Sequence, residues 1–83
     1  MLVFPGMIAE SARQAGMKVP ADPDGKWSPE DYPHFHVFCN MQLCRSLADF
    51  GAHWDNAKVI AALSDEDVRK VTKDDLISRG FVI

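Results

Sequence analysis

The residues best able to do chemistry in this chain lie close together: His34, His36, Cys39 and Cys44, with His53 a little further on. Imidazole nitrogens and thiolate sulfurs are the ligands of structural zinc, so their number suffices for a closed site. Their spacing argues against one. Structural zinc sites lean on tight Cys-x-x-Cys pairs, and the two cysteines here stand five residues apart. On a helix that separation turns the second side chain ~140° away from the first, so a disulfide between them would require the helix to break. Reduced thiols, and with them a cytoplasmic compartment, are the expectation.

His36 and Cys39 share one side of a helix and have the spacing of an imidazole–thiolate pair for nucleophilic catalysis. Such a pair also needs an oxyanion hole and a third, orienting group, and the sequence marks neither. It contains no glycine-rich phosphate loop or other catalytic motif. Cysteine on an apolar helix is ordinarily a small hydrophobe. The sequence therefore predicts neither an enzyme nor a bound cofactor.

The element that must carry these residues is the most hydrophobic stretch of the chain, from Pro33 to Phe50. Alternation in His34-Phe35-His36-Val37-Phe38-Cys39 also fits a strand, which would set His34 beside His36. Six residues without a partner strand make a poor sheet, however, and a helix is the expectation. Projected at ~100° per residue, Val37, Cys39, Met41, Leu43, Cys44, Leu47, Ala48 and Phe50 fall on one broad apolar arc. That breadth predicts a core helix covered on several sides. Two features break the pattern. His36 and Asn40 fall inside the arc, where a buried polar pair would satisfy itself by a hydrogen bond. Phe35 and Phe38 fall on the polar side near Arg45. There they are either covered by Trp27, Tyr32 and the preceding loop, or left as an aromatic surface patch bordered by His34 and Arg45.

The flanking segments carry local signals. Met7 to Ala15 reads as a short helix ended by Gly16, with Ile8, Ala12 and Ala15 on one face. Asp22-Pro23-Asp24-Gly25 is a turn within a proline-rich connection. Ser28-Pro29-Glu30-Asp31 has the order of a helix start but predicts a single turn, because Pro33 forces a restart. Asp55 is placed to cap a helix from Asn56 to Leu63 with Val59, Ile60 and Leu63 inward. Ser64 and Thr72 then cap two further short helices, each with an aspartate three residues on. Leu63 with Val68, and Val71 with Leu76, are placed to staple the two caps. Gly80 stops the last helix and leaves Phe81 and its neighbours to fold back on the core.

Eighty-three residues accommodate one core, so residues 1–83 are expected to form a single all-α domain. It consists of four to five short helices around a central hydrophobic helix, joined by the irregular proline-rich connection. A net charge of −3 opposes non-specific nucleic-acid binding, no run reaches the ~20 apolar residues of a membrane span, and Met1 to Pro5 lack the pattern of a signal peptide. The function this leaves is a non-enzymatic protein-binding module: a small regulator, an inhibitor or an assembly subunit. Trp27, Tyr32, His34, Phe35, Phe38 and Arg45 are its expected contact residues. The partner is another protein, with a second copy of the chain as one candidate. The alternative is a zinc-stabilised domain acting on nucleic acid, with His34, His36, Cys39 and Cys44 as the metal ligands.

Overall fold

The computed structural model describes residues 4–42 and 50–82. Five α-helices and no strand occur among the described residues: α1 Pro5–Gln14, α2 Pro33–Gln42, α3 Phe50–Ala61, α4 Asp65–Lys70 and α5 Lys73–Ser78. None is long and apolar enough to cross a membrane. The α1 helix packs on α3, and α2 packs on α3 and α4.

Helix α1 starts at a proline, whose fixed φ suits the first turn, but its N-cap, Phe4, supplies no side-chain hydrogen bond. The missing acceptor comes from the proline-rich connection. The Asp24 carboxylate accepts from the Gly6 N–H at 2.8 Å, which also sets a negative charge at the positive end of the helix dipole. At the other end Gly16 takes φ +88°. Its N–H and that of Met17 reach back to Arg13 and Ala12, both at 3.0 Å, completing a Schellman cap. Ile8, Ala9, Ser11 and Ala12 are buried, and the Ser11 hydroxyl is satisfied by the Ile8 carbonyl at 2.7 Å.

The connection is a packed loop. Gly25 closes the turn onto the Asp22 carbonyl at 3.0 Å, and the Trp27 indole N–H donates to the Pro23 carbonyl at 2.9 Å. Ser28 then opens one turn, accepting from Asp31 and Tyr32 through its carbonyl and from Glu30 through its hydroxyl, before the chain restarts as α2 at Pro33.

The expected facing of α2 holds at Cys39 and is corrected at Phe35 and Phe38, which take the core as the reading of a covering loop has it. Phe35 and Phe38 are fully buried and Cys39 nearly so, whereas Val37 and Met41 are only half-buried. Two phenyl rings remove more apolar surface from water than a valine and a methionine do, so the rings take the core. The projection had been drawn toward the other side by Leu43, Leu47 and Ala48. These residues lie outside the described ones, as do Cys44 and Arg45, so the expected rod from Pro33 to Phe50 is described as helix only to Gln42 and again at Phe50.

Helix α3 also differs from expectation. It begins at Phe50, so Asp55 is an interior residue 3.8 Å from Lys58 rather than a cap. Its inward residues include Asn56, Ala57 and Ile60, followed by Leu63, while Val59 is half-buried.

Helices α4 and α5 follow their local signals. The Ser64 hydroxyl accepts from the Asp67 N–H at 3.1 Å. Thr72 and Asp75 form a reciprocal capping box at 3.2 and 3.1 Å, which holds the Asp75 carboxyl below its ordinary range, chiefly through the Thr72 N–H. Leu63, Val68 and Leu76 are buried and Val71 is half-buried, as stapling requires. Gly80, at φ +101°, ends α5 in a second Schellman cap and sends Phe81 into the core beside Leu76.

Candidate functional site

The aromatic surface expected around α2 is largely interior. Phe35 and Phe38 have no exposure and cannot be contact residues. Trp27 covers Phe35 with ring centroids 5.4 Å apart, and Tyr32 meets Trp27 edge-on at 6.0 Å, so the loop before α2 folds over the Phe35 ring. Arg45 lies outside the described residues. Trp27, Tyr32 and His34 remain half-buried and are held in place. The Lys18 ammonium sits 5.0 Å from the Tyr32 ring centroid, a cation–π geometry. The His34 imidazole donates from Nε2 to the Leu63 carbonyl at 2.8 Å, which leaves Nδ1 3.9 Å from the Asp65 carboxylate.

The polar pair of α2 is present, but not in the core. The Asn40 amide donates to the His36 imidazole at 3.3 Å, with Asn40 exposed and His36 half-buried against the edge of Trp27. Cys39 is buried, 3% exposed. Burial, and then the nearby Asp24 charge, push its thiol from 9.0 up to about 12, away from the thiolate a nucleophile needs at neutral pH. His53 is buried on α3. No three His, Cys, Asp or Glu side chains converge as metal ligands among the described residues, and Cys44 lies outside them.

The structure instead brings together two adjoining depressions where the turn at residues 29–31, α2 and α4 meet. One is a groove of about 230 Å³ with Pro29, Pro33, Val37 and Val68 as its apolar lining. Glu30, His36 and Arg69 supply its polar groups. The other is a more polar cleft of about 150 Å³, to which Lys18, Asp31, Tyr32, His34 and Asp65 contribute. Glu30, Pro33 and Arg69 line both, so the two form one continuous face. Arg69 fixes its shape by donating from α4 to the Glu30 carbonyl at 3.4 Å.

Of the residues named from the sequence, Tyr32 and His34 line this face, whereas Val37, Val68 and Arg69 were not named for it. Val37 had been assigned inward by the helical projection. Val68 was read only as a staple residue, and no local rule joins α4 to a turn 39 residues earlier. The rigid pair Pro29 and Pro33, one turn apart and framing the groove, was the signal available. In comparisons with known proteins, no family model matches this chain, and no curated protein or solved structure shows significant similarity to it.

Proposed function

We propose that this chain is a non-enzymatic protein-binding module, acting as a small regulator, inhibitor or assembly subunit, and that it receives a segment of another protein on the face shared by the 29–31 turn, α2 and α4. The observation that carries this reading is the apolar groove adjoining a polar cleft. An apolar centre with a polar surround containing tyrosine and arginine is the anatomy of a protein interface. At about 230 Å³ the groove is smaller than the ~300–1,000 Å³ of small-molecule pockets, and suits one or two side chains. The contact residues are accordingly Tyr32, His34, Val37 and Arg69, with Trp27 in ring contact with Tyr32 and His36.

A photo-crosslinking residue placed at Val37, compared with one at the half-exposed Ile77 of α5, tests this reading. A discrete adduct is expected in source-cell lysate from position 37 alone. The purified partner should then bind the Val37→Glu chain at least tenfold more weakly, about 1.4 kcal/mol, with an unchanged melting temperature. Equal labelling from both positions, or full affinity of the variant, would overturn the proposal.

A further inference from the structure

We infer that the segment received by this face is cationic as well as apolar, pairing an aliphatic or aromatic side chain for the groove with a nearby lysine or arginine for the cleft. This deepens the binding-module reading and rests on it. Glu30, Asp31 and Asp65 line the cleft against Lys18 and Arg69, three carboxylates to two cations. The two cations have other contacts within this face: Lys18 over the Tyr32 ring, and Arg69 on the main-chain carbonyl of Glu30. Among the described residues neither forms a salt bridge, and neither Glu30 nor Asp31 does. Among the described residues the ion-pair contact of the Asp65 carboxylate is the His34 imidazole, at 3.9 Å. Glu66 follows it in the first turn of α4 with its charge matched by Lys70 at 3.4 Å, and Asp67 adds a further acid. Whole-chain charge points the same way, at −3. A partner bringing a cation to this face gains attraction, whereas one bringing a carboxylate meets Glu30, Asp31 and Asp65. Because these groups are solvent-accessible, the attraction is screened by salt.

The probe is a random dodecapeptide display library panned on the full chain, with the full-length Val37→Glu chain as counter-selection. Enriched sequences should place Lys or Arg within a few positions of an aliphatic or aromatic residue. A synthetic peptide of that kind should lose at least tenfold in affinity to Val37→Glu. It should lose several-fold to the Glu30→Gln/Asp31→Asn double variant, and several-fold when salt rises from about 50 mM to about 300 mM. Melting curves check folding, and Val37→Ser replaces Val37→Glu if the latter unfolds the chain. Peptides that need Val37 but carry no basic excess and ignore salt would overturn the cationic inference while leaving the groove reading standing. Failure to enrich any Val37-dependent peptide would overturn both.

Discussion

The starts of helices α4 and α5 are fixed by near bonds, whereas the larger body formed by α1, α2 and α3 also draws on far ones. The short pair is held at its starts by bonds three residues long, from Ser64 to Asp67 and between Thr72 and Asp75. The larger body depends on distant partners. Asp24 caps α1 from 18 residues away, Asn56 holds Val82 across 26, and His34 reaches Leu63 across 29. A short-range bond forms together with the helix it caps, so it is dictated by adjacent residues. A bond between remote segments exists only once the whole chain has closed, so its loss reports on the global fold.

The largest test of this contrast is Phe38→Ala. It should cost about 3–5 kcal/mol, because a fully buried ring leaves a cavity that its neighbours only partly refill. The shift in urea midpoint at constant slope measures this. A loss below about 1 kcal/mol would return Phe38 to the surface and restore the aromatic patch. Next is Asn56→Ala. The Asn56 amide is fully buried, donates to the Val82 carbonyl at 2.9 Å and accepts from the Val82 N–H at 2.8 Å. Its removal should cost about 2–3 kcal/mol and accelerate exchange of the Val82 amide proton. Unchanged exchange would show that residues 81–82 are held by Phe81 alone.

The smallest effects belong to the local caps. Ser64→Ala and Thr72→Ala should each cost about 1 kcal/mol, and the double variant should cost their sum if the two caps act independently. The Thr72–Asp75 box also carries a pH signature. Its folded carboxyl titrates below the unfolded value of 3.8, so its contribution is present above that value and is lost as pH falls through the folded one. Asp75→Asn should flatten that acid limb in thermal melts, and an unaltered limb would place the dependence elsewhere.

The division between near and far bonds also explains what could be read in advance. Both glycine stops, both hydroxyl caps, the Asp22–Gly25 turn and the break at Pro33 are statements about neighbouring residues, and the structure contains all of them. The facing of α2 was not legible, because a helix apolar on most sides has no preferred core side until Trp27 covers one of them. The start of α3 was missed because Asp55 has the type of a capping residue but sits in mid-helix. As for the candidate site, Tyr32 and His34 are named by the sequence and line the cleft, while the groove beside them was not legible. It exists only because α4 docks against the 29–31 turn.

The bond between Asn56 and Val82 has one further consequence. In a chain whose described residues include no strand, the Asn56 amide side chain acts as a single rung of a β-ladder, meeting the main-chain N–H and C=O of Val82. Such a rung is blind to the side chain it holds and refuses only proline, which has no N–H to offer. With the valine half exposed, a polar side chain at position 82 should therefore leave both bonds to Asn56 in place.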